Sequence, residues 1–259
     1  MKIPETKIAV TLFNLSKHCQ TVKNLDSSLE KVENIGYEAV QVSGIGADIS
    51  PSEVKELLEK HKLYCCATHE SLPNLRDNFD SVVNKLKLWE CNFAALGHPG
   101  NDFWSREGMI KLAEELNEIG AKFKKEGIKL GYHNHNCEFA KYTNKTFLEE
   151  IYDRTDPENL YAEIDVHWVA RGGGSPVKWI YKVAGRMPVI HFKDFVVVDN
   201  KPTFCEIGEG NLDWTGIIKA CEETNVRWYS IEQDAPFGDR DIFDSIEMSF
   251  NNLKTMGVK

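Results

Sequence analysis

The chain lacks any apolar run approaching the ~20 residues of a membrane span. Its opening, MKIPETKIAV, has no apolar segment of the kind a secretory leader carries. It also lacks an excess of positive charge: 31 Lys and Arg face 40 Asp and Glu, a formal net charge of −9. Phosphate backbones want a basic face, so this balance argues against nucleic acid as the main partner. Ordered cysteine spacing is missing too. Seven cysteines are scattered without a CxxC, which reads as free thiols in a reducing compartment and a cytoplasmic location. No linker, low-complexity tract or charge block interrupts the 259 residues, so a single domain over 1–259 is expected.

What is present is alternation. Short apolar runs rich in Val, Ile, Tyr, Phe and Ala read as strands buried on both faces at 7–13, 38–44, 63–69, 92–98, 129–135, 160–168, 188–194 and 227–233. Amphipathic stretches read as helices at 27–36, 50–62, 78–90, 105–127, 144–155, 175–185, 213–224 and 240–257. Ser50-Pro51 with Glu53 marks one helix start, and Gly36 one helix stop. Eight strands, each followed by a helix, predict an α/β fold of the (β/α)8 TIM-barrel type. The rival doubly wound sheet usually shows a Gly-rich fingerprint after its first strand, and LFNLSKH has none.

In such barrels chemistry sits at the C-terminal strand ends. Six of the eight histidines fall there: His69, His98, His133, His135, His167 and His191. Asp165, Lys193, Asp194, Glu232 and Asp234 join them, with Glu138 just beyond strand five. Asp165, His191 and Glu232 each interrupt an apolar strand, where an unpaired charge costs several kcal/mol. Carboxylates and imidazole converging there form a mixed N/O site suited to one divalent ion: Mn²⁺, Mg²⁺, Co²⁺ or Zn²⁺.

The segments GYHNHNCEF, AEIDVHWVARGGGSPVKWI, GRMPVIHFKDF, IGEGNLDWTGII and WYSIEQD resemble the sugar phosphate isomerase/epimerase family, the xylose isomerase-like TIM barrels. The resemblance spans nearly the whole chain. It implies one divalent metal held by a Glu, Asp, His and Glu from strands five to eight. Asp165, His191 and Glu232 match that pattern. For the strand-five ligand, Glu138 is the expected carboxylate and His133 the substitute. The family's ketose epimerases carry a His three residues after the strand-six Asp; here that place holds Trp168.

The implied substrate is a small sugar or polyol, isomerised or epimerised through a metal-stabilised enediolate. Elimination from a keto sugar or inosose is the second reading, and a sugar-binding barrel without turnover the third. Glu232 and His135 are the acid/base candidates, and Lys193 would hold a substrate oxygen or oxyanion. His69, His98, His133 and Trp168 would line the sugar pocket, with Trp214 and Phe204 as further stacking faces. The loop ARGGGSPVKW invites a phosphate at the helix start near Ser175. Barrels of this size often pair through helices, so self-association is an open expectation.

Overall fold

The computed structural model describes residues 2–259. Seven strands run in order: β1 (Ile8–Thr11), β2 (Ala39–Val42), β3 (Tyr64–Glu70), β4 (Phe93–Leu96), β5 (Lys129–His133), β6 (Leu160–Glu163) and β7 (Val189–Phe192). An antiparallel hairpin, β8 (Asp194–Val198) and β9 (Lys201–Cys205), follows, and β10 (Trp228–Ile231) is the eighth barrel strand. The eight parallel strands pair in the order β6-β5-β4-β3-β2-β1-β10-β7. The remaining edge, β6 against β7, has no continuous ladder. It is joined by a bridge between Asp165 and His191 and by His191 N–H donating to Ile164 O at 2.8 Å. The expected TIM barrel is present and nearly closed.

Helices α1 (Val22–Ile35), α2 (Pro51–Lys60), α3 (Leu72–Asp77), α4 (Phe79–Leu88), α5 (Arg106–Lys125) and α6 (Phe147–Arg154) pack outside the strands. They are followed by α7 (Val166–Arg171), α8 (Pro176–Lys182), α9 (Trp214–Glu223) and α10 (Ile242–Thr255). Their starts follow side-chain chemistry. Ser50 and Glu53 form a capping box on α2, and Thr146 and Glu149 one on α6. Gly36 ends α1 at φ 113°.

The structure departs from the sequence reading in three places. Two helices, α3 and α4, follow β3. The strand read at 160–168 stops at Glu163, because the Asp165 side chain accepts the Trp168 N–H at 2.9 Å and starts α7. His167 and Trp168 therefore sit on a helix. The third is the hairpin β8–β9, whose two-residue turn places Asp199 and Asn200 at φ 50° and 61°.

Successive strand residues point to opposite faces. The outward set forms the large core shared with the helices. The inward set forms a small apolar cluster, including Ala9, Ala39, Cys66, Phe93, Val189 and Trp228. Further along the same inward rows the chain turns polar: Gln41, His133, Glu163, His191 and Ser230 are at most 2% exposed. The barrel therefore has an apolar floor and a buried polar ceiling beneath its mouth.

Glycine spacing is set by contact. A Cβ on Gly120, inside α5, would fall 2.0 Å from the carbonyl oxygen of Asn159. Gly→Ala in a helix ordinarily stabilises by about 1 kcal/mol. Gly120→Ala should instead destabilise by about 1–3 kcal/mol, because the backbone of the next segment blocks it. A lower urea midpoint at unchanged slope would show this.

Candidate metal centre at the barrel mouth

Four side chains from four strand ends converge: His133 from β5, Asp165 after β6, His191 on β7 and Glu232 after β10. Each offers one donor atom, and these atoms all lie within 4.8 Å of one another. All four residues are buried. His191 Nδ1 stands 2.8 Å from Glu232 Oε2. Asp165 accepts from Trp168 through Oδ1, but its Oδ2 has no hydrogen-bond partner among the described residues.

A second group overlaps the first. Glu163 lies deeper in the barrel with His69, His133 and His191, again within 4.8 Å. Its carboxylate pairs with His69 Nε2 and stands 3.4 Å from His133 Nδ1 and 3.5 Å from His191 Nε2. Gln41 Oε1 stands 2.8 Å from His191 Nε2.

The charges answer to this geometry. Burial pushes the Asp165 carboxyl up to about 8, against the pull of Lys193. Burial also opposes ionisation of Glu232 and Glu163, but neighbouring cations outweigh it. Lys193 and His191 hold Glu232 well below the usual carboxylate range, and His69 and His191 do the same for Glu163. Burial would lower His191, yet Glu163 and Glu232 raise it well above an ordinary imidazole. Burial lowers His133 to about 3 and His135 to about 4, so both are neutral near pH 7.

A divalent metal is what the fold's resemblance implies, and the residues fit one. The outer group offers two imidazoles and two carboxylates, Asp165 Oδ2 is unpartnered among the described residues, and burial makes the Asp165 charge costly unless a cation meets it.

Above the centre lies a cavity of about 410 Å³. His69, His98, His133, His135, Lys193 and Glu232 are among its lining residues, as are Phe13, Glu70 and Asp234. His135 is half-buried and its Nδ1 is unpartnered among the described residues. Lys193 is 2% exposed, with Nζ 2.5 Å from Asp234 and 3.6 Å from Glu232. Exposed His98 accepts the Gly100 N–H at Nδ1, 3.0 Å away, which leaves its Nε2 as the donor. His69 reaches the cavity but is committed to Glu163.

Several expected residues stand elsewhere. Glu138 belongs to neither donor group. Its oxygens fold back on their own turn, accepting from Tyr132 OH at 3.1 Å and His135 N–H at 2.8 Å. The strand-five member of the group is His133, the substitute. Trp168 does not line the cavity; it packs against His135 and beneath the Lys193 ammonium. Trp214 donates its indole N–H to Asp194 at 2.6 Å, inside the fold. The triple-glycine loop is explained by packing. Cβ atoms at Gly172 and Gly174 would fall 2.4 and 2.6 Å from the Phe139 ring, and Ser175 caps its own short helix.

Glu163, Gln41 and Phe13 were missed by sequence reasoning. Glu163 precedes Asp165 by two residues in AEID, so the two share the inward row. Gln41 likewise interrupts the apolar run AVQV. Phe13 gave no signal beyond its place after the first strand.

The model of the xylose isomerase-like TIM barrel family matches residues 29–249. The chain belongs to that family. It is similar to an inosose dehydratase of Clostridium perfringens, 28% identical over 148 residues, which are 50% of this chain and 49% of that protein. The chain thus spans about half the length of the curated relatives it matches. Among solved structures it is similar to a sugar phosphate isomerase/epimerase of Parabacteroides distasonis, with a TM-score of 0.80 and 20% identity over 99% of this chain and 96% of that one. It also resembles an L-ribulose 3-epimerase, with a TM-score of 0.72 and 13% identity over 96% and 94%.

Protons on Asp165 and His191 compete with any cation for the same atoms. Affinity for Mn²⁺ or Co²⁺ should therefore rise with pH, by about tenfold per unit for each proton released, as pH climbs towards about 8. Metal titrations by calorimetry at pH 6, 7 and 8, in buffers of different ionisation enthalpy, would count those protons.

Proposed function

We propose that the chain is a divalent-metal-dependent isomerase or epimerase acting on an uncharged sugar or polyol derivative. The observation that carries this reading is the four-donor group of His133, Asp165, His191 and Glu232 beneath a cavity walled by His135 and Lys193. Among the described residues, the one lysine or arginine on that wall is Lys193, already paired with Asp234 and Glu232. A phosphate would have to displace those carboxylates, so a hydroxyl-rich neutral ligand suits the cavity better.

His133, Asp165, His191 and Glu232 would hold the divalent ion, and when bound it would supply Lewis-acid polarisation of a substrate carbonyl, acidifying the neighbouring C–H. The protein residues then divide the proton work. Glu232 is ionised and His135 is neutral, so both are ready to accept a proton. They come from strands eight and five and face the cavity from different sides. Glu232 removes the C–H proton, and His135, after taking a proton from water in the open cavity, returns that proton to substrate; Glu232 then gives its own proton back to water. Return to the neighbouring carbon isomerises, and return to the opposite face of the same carbon epimerises. Burial works against charge on Lys193, but Glu232, Asp165 and Asp234 keep it protonated, so its ammonium is a donor to oxygen where negative charge develops. Exposed Phe13 offers a rim face on which the apolar side of a sugar ring can lie.

Elimination is the second reading, and the inosose dehydratase relatives favour it. Here the first proton transfer is the same. The C–O bond β to the carbonyl then breaks, and the leaving oxygen takes a proton from Lys193 or charged His135 to depart as water.

The test is a panel of ketoses and inososes incubated in D₂O with the Mn²⁺- or Co²⁺-loaded chain. Solvent deuterium should enter the carbon next to the carbonyl, and loss of water would select the second reading. Glu232→Gln should lower kcat by about 10²- to 10⁴-fold. A chain that takes up no metal and exchanges no substrate proton would remove the proposal.

A further inference from the structure

Among the described residues, Asp165 Oδ2 in the outer group has no hydrogen-bond partner, and Glu163 Oε1 in the inner group has none either, although it stands 3.5 Å from His191 Nε2. The inner carboxylate, Glu163, already faces three imidazoles. We infer that Glu163 and Gln41 are positioning residues, an inner layer that orients the histidines towards the metal without touching it. This inference rests on the metal centre proposed above.

The argument starts at His191. Its ring is fully buried and has two different neighbours on its two nitrogens. Nε2 faces Gln41 Oε1 at 2.8 Å and Glu163 Oε1 at 3.5 Å, both acceptors. A neutral imidazole carries one N–H and one lone pair. Without a cation the ring is held charged, and Nδ1 faces Glu232 on the side of the outer group. Once Nδ1 gives up its proton to a cation, the two acceptors on the Nε2 side hold the remaining N–H there.

His133 follows the same logic more loosely. Its Nδ1 stands 3.4 Å from Glu163 Oε2, an approach that falls short of a hydrogen bond and tightens only if the ring donates there. His69 completes the arrangement from β3, pairing with the same carboxylate. One glutamate therefore sets the rings of residues from strands three, five and seven, and an amide from strand two holds one of them again. Neither Glu163 nor Gln41 lines the cavity, so neither is placed to touch substrate. Outer carboxylates and amides that hold a ligand's remote N–H typically contribute 10- to 100-fold in metal affinity.

The experiment measures Co²⁺ binding by chelator competition, together with the visible ligand-field spectrum, for wild type, Glu163→Gln and Gln41→Leu. Melting of each metal-free protein checks that it is folded. We expect both variants to bind a full equivalent of Co²⁺ with band positions like wild type, but about 10- to 100-fold more weakly for Glu163→Gln and less so for Gln41→Leu. If Glu163→Gln does not fold, weakened binding with an unchanged spectrum in Gln41→Leu carries the inference, and unweakened binding there overturns it. Wild-type affinity in both folded variants overturns it and leaves the metal centre standing. Loss of the Co²⁺ equivalent, or a changed band pattern, in folded Glu163→Gln would make Glu163 a ligand and also overturns it. A wild-type chain that takes up no Co²⁺ removes both the centre and its inner layer.

Discussion

A fully buried carboxylate in the middle of a barrel is the constraint on which the upper half of this molecule depends. Glu163 has no exposed surface, and leaving such a charge alone would cost several kcal/mol. The fold answers by turning three imidazoles towards it, from β3, β5 and β7. Those rings in turn cannot pack as apolar residues would. The inward rows of the barrel therefore change character part-way up, from Ala, Cys, Phe and Val below to Gln, His, Glu and Ser above. The mouth is built on that polar layer.

The same region carries the weakest joint of the sheet. Seven of the eight strand neighbours pair as ladders, whereas β6 and β7 meet through the Asp165–His191 bridge and a few flanking hydrogen bonds. Asp165 has three tasks there: it bridges the seam, caps α7 through one oxygen and presents the other to the outer group. The residues that hold the seam are thus also donors of the candidate centre. Neighbouring loops are tied down independently. Asp194 accepts from the backbone N–H groups of Phe195, Gly208 and Gly210 and from the Trp214 indole, which fixes the segment after the hairpin.

The barrel was legible in the sequence because doubly buried strands and amphipathic helices write different periods, and eight repeats of the pair leave few architectures. Asp165, His191 and Glu232 were legible as polar interruptions of apolar strands. The Glu138 expectation followed residue type and proximity in sequence. It could not foresee that the turn after Asn134 would use that carboxylate to satisfy its own N–H and the Tyr132 hydroxyl. Glu163 and Gln41 carried the same signal as Asp165, but the strands read from sequence run on to 168 and 44, so neither stood at an expected strand end although Glu163 closes β6 and Gln41 is next to last in β2. Trp168 was misplaced because a run of apolar residues hides a helix start when the capping Asp belongs to the strand before it. The glycine loop looked like a ligand cradle because sequence cannot show that Phe139 fills the space.

The division between a buried polar layer and a rim above it bears on how such a scaffold changes over time. Charge balance is settled below the surface by Gln41, Glu163 and the histidines they hold. The groups that would decide where a proton goes, His135 and Lys193, stand at strand ends beside loops. A descendant could exchange those few rim residues while inheriting the costly interior intact. The interior and the rim of one such barrel can in this way change at different rates, each change at the rim crossing a short mutational distance.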